Sequence, residues 1–128
     1  MTKITREMLK IYQPISNLDW LNYKLVRKDL TYHHIVKRAD GGKKIISNGA
    51  LLMPVGHQYL HLIEFKDYKT YKYINEIFKL VNKQEHEPTR DQRETLEYLL
   101  TQFEKKHIND KTSKGKRLIK EAYLNRTL

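Results

Sequence analysis

Apolar positions along this chain recur at helical spacing in some stretches and gather into short β-branched or aromatic runs in others. Ile4, Met8, Leu9 and Tyr12 stand at helical spacing, and Pro14 ends that short helix. Ser16 is placed to cap a second turn carrying Leu18, Trp20 and Leu21. The segment Leu30–Val36 (LTYHHIV) reads as a strand. Lys37–Asn48 is loop by composition, with Gly41-Gly42 at its centre, and Ala50–Met53 reads as the returning strand. Pro54 suits the first turn of a helix that runs to about Phe65. On that helix Leu60 and Glu64 share one side, while His57 and His61 lie one turn apart on a common face.

The rest of the pattern is helical. Asp67 caps a helix whose apolar stripe is Tyr71, Ile74, Phe78 and Val81, with Ile77 beside it. His86–Pro88 makes a break, and Thr89 with Gln92 forms a capping box. A long helix follows with Leu96, Leu99, Leu100 and Phe103 inward. After a polar loop over Asn109–Gly115, a last basic helix around Arg117–Leu124 packs Leu118, Ile119, Ala122 and Tyr123. The expected class is α+β in a single domain, 1–128. A β-hairpin and one helix occupy 30–66, flanked by helices in 1–29 and 67–128. A hairpin with one helix buries too little surface alone, so the flanks supply most of the core.

Composition narrows the choice of partner. The chain has 128 residues and no cysteine, which excludes disulfides and thiolate metal sites. Its N-terminus, MTKITREMLK, lacks an apolar run of signal-peptide length, and no stretch approaches the roughly 20 apolar residues of a membrane span. A soluble cytoplasmic protein is the expectation. The net charge is +10 with a pI of about 9.7, which suggests a polyanionic partner. Residues 1–66 carry 11 Lys+Arg against 5 Asp+Glu, residues 67–104 carry 6 against 8, and residues 105–126 carry 8 against 2. The positive charge thus lies with the first half and the tail.

Four of the six histidines form one pattern in that first half. His33 and His34 are adjacent; Asn48 follows His34 after 14 positions, His57 follows after 9 more, and His61 after 4. Hydrolysis of a phosphodiester needs an activated water, stabilisation of charge at phosphorus and help for the leaving oxygen. Neutral imidazole suits the first task, because its ordinary pKa is about 6.5. A divalent cation supplies the other two. Histidines at i and i+4 on a helix, with a third from elsewhere, make an open metal site. His57 and His61 supply the helical pair. One of His33 and His34 supplies the third ligand and the other the free base, and spacing alone does not decide which. Adjacent side chains of a regular strand point to opposite faces, so both serve one site only where the strand end twists or the phosphate lies between them. His86, in an acidic turn, and His107, near a helix end, read as ordinary surface or core residues.

HHIVKRADGG followed by SNGALLMPVGHQYLH resembles the HNH endonuclease family with its ββα-metal core. The ligand pattern is similar to the colicin-type DNases, which also show His-His and His-x3-His. The likeness covers roughly Leu30–Phe65. It implies His34 as general base, His33, His57 and His61 as ligands of one divalent metal, and Asn48 as the residue that orients the base by bonding backbone. It also implies 5′-phosphate and 3′-hydroxyl products. Three departures stand out: the cysteine pairs of many members are absent, the residue after the Asn is Gly49 rather than a bulky aliphatic, and His33 replaces a common Asp.

The leading expectation is therefore a metal-dependent DNA endonuclease of phage or mobile-element character. Three neutral imidazoles favour nickel, cobalt or zinc over magnesium, with manganese a further candidate. Lys37, Arg38, Lys43 and Lys44 crowd the hairpin loop and are the expected phosphate contacts, Arg38 in bidentate fashion. Tyr68, Tyr71 and Tyr73 tempt as base-stacking groups, although Tyr71 falls on the apolar stripe. A second reading is a non-catalytic nucleic-acid-binding module with a structural metal, which has no use for a fourth, free imidazole. A third is a protein-interaction domain working through the acidic helices of 67–104.

Overall fold

A computed structural model describes residues 1–107 and 113–126. Among them are five α-helices and one two-stranded antiparallel sheet, an α+β arrangement. Helix α1 spans Lys3–Tyr12, strand β1 Thr31–His34 and strand β2 Gly49–Leu52. Then come α2 (Pro54–Lys66), α3 (Tyr68–Gln84), α4 (Arg90–His107) and α5 (Ser113–Asn125). The order β1, β2, α2 is compatible with a ββα unit. No helix among the described residues is long and apolar enough to cross a membrane.

Both strands are shorter than their apolar runs suggest. β1 and β2 pair Thr31 with Leu52, Tyr32 with Leu51, His33 with Ala50 and His34 with Gly49. Pairing stops after His34 because Ile35 and Val36 turn to bond Asn48 instead: Ile35 N donates to the Asn48 carbonyl at 2.9 Å and Val36 N to its side chain at 2.8 Å. The expected turn after Ser16 is not a helix. Leu18 bridges Lys24 in an irregular segment, and Ser16 bonds Glu87 across the molecule. The expected polar loop Asn109–Gly115 lies partly outside the described residues, and α5 already begins at Ser113. The Tyr123 side chain also lies outside them.

Capping follows the sequence closely. Asp67 accepts from Thr70 N at 3.2 Å at the start of α3. Thr89 and Gln92 close a reciprocal box, with Gln92 N donating to Thr89 Oγ1 at 3.1 Å and Thr89 N to Gln92 Oε1 at 2.9 Å. Each such cap contributes about 0.5–2 kcal/mol. Proline at the first helical position of α2 lacks the N–H that would be orphaned there.

The core explains how two short strands persist. Trp20 packs edge-on between Tyr12 and Phe78, with ring centres 5.1 and 5.8 Å away. Tyr59, Leu60 and Ile63 of α2 are fully buried, and α2 packs against α3 and α5. Full burial of such side chains stabilises by roughly 1.5–3 kcal/mol each. The junction between β2 and α2 is held from outside the hairpin. Asp19 Oδ2 accepts from Met53 N at 2.7 Å, and Trp20 N donates to the Leu51 carbonyl at 3.0 Å. From α3, Asn82 donates to the carbonyls of Ile46 and Gly49, both at 2.7 Å. These bonds fix where α2 starts, and hence the direction in which His57 and His61 leave it.

Candidate active site and metal centre

The loop from Ile35 to Asn48 is folded on itself by one side chain. Asn48 Nδ2 donates to the carbonyls of Val36 and Lys43, each at 3.0 Å, while its Oδ1 accepts from Val36 N. Amide geometry allows both roles at once, so a single residue ties the two ends of the loop together. Gly42 is required where the loop doubles back. Its N donates to the Lys37 carbonyl at 2.8 Å, and a Cβ there would lie 1.8 Å from the Val36 carbonyl oxygen. No backbone adjustment short of reopening the turn would relieve that.

Strand alternation separates the histidine doublet. His33 faces the helices. It is 3 % exposed and lies edge-on to Tyr71 and Phe78 of α3 and to His57 of α2, the last with ring centres 5.6 Å apart. Its Nε2 sits 2.9 Å from Asn75 Oδ1. Burial pushes its pKa down to about 4, with the neighbouring imidazoles adding to the effect and Asn75 opposing it. A neutral ring follows at neutral pH.

His57 and His61 stack, with ring centres 5.0 Å apart. His57 Nδ1 lies 2.9 Å from Thr31 Oγ1, and burial lowers its pKa. His61 is largely exposed, and its Nδ1 lies 3.6 Å from Glu64 Oε1. Glu64 also pairs with Lys37 through Oε2. The sequence pattern groups Glu64 with Leu60, but the structure separates them. Leu60 points into the core, while Glu64, at i+7 from His57, lines the histidine cleft.

His34 differs from the other three. It points to the opposite side of β1, edge-on to Tyr32 with ring centres 4.9 Å apart. Its Nε2 is shut away from solvent and has no hydrogen-bond partner among the described residues. Burial lowers its pKa first, and the positive charges of Arg38 and Lys44 lower it further.

All four histidines nevertheless border one cleft of about 400 Å³, lined also by Tyr32, Lys37, Arg38, Glu64 and Tyr71. Arg38 is exposed on its rim, while Lys44 stands 5.7 Å from the Tyr32 ring centre and Lys43 is exposed further along the loop. Lys37 and Arg38 thus face the cleft itself, and Lys43 and Lys44 lie outside it. Tyr71 is buried as its stripe position requires, and Tyr68 and Tyr73 are exposed on α3. His86 is exposed and bonds the Glu87 carbonyl, whereas His107 packs on Phe103. Neither joins the cleft.

Donor type and spacing suit a divalent cation. Two imidazoles on one tetrahedral ion stand with ring centres about 5 Å apart, given nitrogen–metal bonds of about 2.0–2.1 Å. The His33–His57 and His57–His61 separations of 5.6 and 5.0 Å match that spacing. Among the described residues no three His, Asp or Glu side chains form a ready cage. Thr31, Asn75 and Glu64 are the residues that sequence reasoning missed. Glu64 was within reach, because its i+7 spacing from His57 places it on the same helix face. Asn75 contacts His33 across 42 residues and leaves no local signal.

Compared with known proteins, the chain matches no family model, no curated protein and no solved structure.

Proposed function

We propose that this chain is a metal-dependent endonuclease of the HNH type that hydrolyses phosphodiester bonds of DNA, with His34 as the general base. The observation that carries this reading is the unequal treatment of four imidazoles around one cleft. Three have a ring nitrogen facing an oxygen at 2.9–3.6 Å, and His34 has none. With no acceptor or donor fixing the ring, the enclosed Nε2 keeps the ring proton and Nδ1 is left bare to act as a base.

The chemistry follows from the residues present. His34 is neutral at pH 7, since its pKa is held below the ordinary histidine value. Its Nε2 is enclosed, so Nδ1 is the nitrogen that takes the proton from water. Asn48 fixes the loop into which β1 runs and so holds the His34 ring against the cleft. Arg38 receives the phosphate in a two-bond fork, and Lys37, Lys43 and Lys44 add positive charge along the backbone path. His33, His57 and His61 would hold the divalent ion, which when bound supplies Lewis-acid stabilisation of the phosphate and the leaving 3′ oxygen. Imidazole donors at all three positions favour nickel, cobalt or zinc by donor softness.

Plasmid cleavage by metal-stripped protein tests the reading, with magnesium, manganese, nickel, cobalt or zinc added back. The expected result is ion-dependent nicking that falls about 10²–10⁴-fold in His34→Ala while ion binding persists. Absence of cleavage with every ion, alongside tight metal and DNA binding, would replace the nuclease with a non-catalytic binding module.

A further inference from the structure

The oxygens around the histidines decide which nitrogen of each ring carries the proton. Thr31 has one hydroxyl proton and donates it to the Leu52 carbonyl at 2.7 Å. Towards His57 Nδ1, 2.9 Å away, the hydroxyl therefore offers only a lone pair. His57 must hold its proton on Nδ1, which leaves Nε2 as the bare nitrogen. Asn75 presents Oδ1 to His33 Nε2, and a carbonyl oxygen only accepts. His33 holds its proton on Nε2 and leaves Nδ1 bare. Glu64 stands nearest His61 on the Nδ1 side and, as a carboxylate, also only accepts. That favours a bare Nε2 on His61.

We infer that Thr31, Asn75 and Glu64 are positioning residues that set the tautomers of His57, His33 and His61 so that each ring keeps one bare nitrogen for a shared divalent cation. The inference rests on the metal-dependent reading above. The physical need is plain: a neutral imidazole in the wrong tautomer turns an N–H towards the ion. An acceptor on the far nitrogen also makes the ring a stronger donor, and loss of such partners costs about 10–100-fold in metal affinity. Lys37 belongs to the same arrangement. It pairs with the second oxygen of Glu64 and offsets a negative charge that would otherwise face the incoming phosphate. Asn75 lies on α3, outside the hairpin and α2, so the centre is completed by a flanking helix.

Two measurements test this, and the first needs no variant. Long-range ¹H–¹⁵N correlation spectra of metal-free protein report each ring's tautomer. The expected pattern is a proton on Nδ1 of His57 and on Nε2 of His33; a proton on Nε2 of His57 overturns the assignment. In the second, zinc and nickel affinities are measured by competition with a chromophoric chelator. Thr31→Val should weaken binding by about 10–100-fold, and Thr31→Ser, which keeps the hydroxyl, should bind within about threefold of the parent. Folding of both variants is checked by the dispersion of the same spectra. Equal affinity in parent and Thr31→Val overturns the inference and leaves the metal-dependent reading standing. A parent chain that binds neither ion overturns both.

Discussion

Two of the buried polar clusters among the described residues use their hydrogen bonds to different ends. The first joins the irregular segment after α1 to α4. Asp19, 1 % exposed, accepts from the backbone of Leu21, Tyr23 and Met53 at 2.7–2.9 Å. Arg93, 3 % exposed, donates to the Asp19 carbonyl, Asn22, Ser16 and Glu87 at 2.7–3.1 Å. The Met53, Asn22, Ser16 and Asp19 bonds tie separate chain segments together, and the Leu21 and Tyr23 bonds fold the segment on itself. The second cluster, around the histidines, ties its rings on one side only and leaves His34 untied. Burial of charge does not by itself mark a functional site. Valence left open beside a cleft is the more informative sign.

The largest effects should separate the clusters. Arg93→Leu removes one partner from a buried network and leaves Glu87 without its charge partner, so urea unfolding should show a loss of about 3–5 kcal/mol. His34→Ala should shift stability by less than about 1 kcal/mol while abolishing most plasmid cleavage, because nothing depends on its ring nitrogens for structure. A large stability loss in His34→Ala would erase the contrast.

The clusters should also respond to pH in opposite directions. His33, with its pKa lowered to about 4, stays neutral in the fold while the unfolded chain takes up a proton below about 6.5. Stability from this group therefore rises with pH across that window and is lost as pH falls towards 4. Burial pushes Asp19 up to about 6, against its three backbone donors and the charge of Arg93. Here the folded state holds the extra proton, so stability falls as pH rises from about 4 to 6. Each shift corresponds to about 3 kcal/mol. In metal-free protein the two slopes should largely cancel between pH 4 and 6. Asp19→Asn should uncover the rising slope and His33→Gln the falling one, read from urea midpoints at successive pH values. Parallel slopes in the two variants would contradict the opposition.

A graded effect should come from the loop clasp. Asn48→Ala removes three side-chain bonds to backbone, with an expected cost of about 1–3 kcal/mol. Cleavage should drop with it, and substitution by Asp, which keeps the acceptor but loses the amide donors, should fall between. An Asn48→Ala chain with full activity would remove the orienting role.

Much of this was legible in the sequence where the signal is local. Pro54 and the His57/His61 spacing locate α2 and its cleft face, and the Thr89/Gln92 box starts α4 nearly as expected. Strand lengths were not legible, because Ile35 and Val36 have strand propensity but lose the competition to Asn48. The segment after Ser16 reads as helical, yet Asp19 draws three backbone N–H groups to itself and prevents a helical turn. Charge averaged over 67–104 conceals a difference between two helices. Lys69, Lys72, Lys79 and Lys83 make α3 basic, and the acidic excess lies from Glu85 onward. Partners such as Asn75 and Asn82 reach the hairpin through tertiary packing, for which a single sequence holds no pattern.

Tyr32 and Gly49 are fitted to one another across the hairpin. Asn48 is followed by Gly49, which carries no side chain. A Cβ at Gly49 would lie 2.3 Å from the Tyr32 ring, which fills that space and donates its hydroxyl proton to the Ile45 carbonyl at 2.7 Å. The residue just before the histidine doublet thus occupies the volume that a side chain at position 49 would need. Positions 32 and 49 should therefore change together through descent, ring with glycine or small residue with aliphatic. A homologue that breaks the pairing would have to reshape the mouth of the cleft.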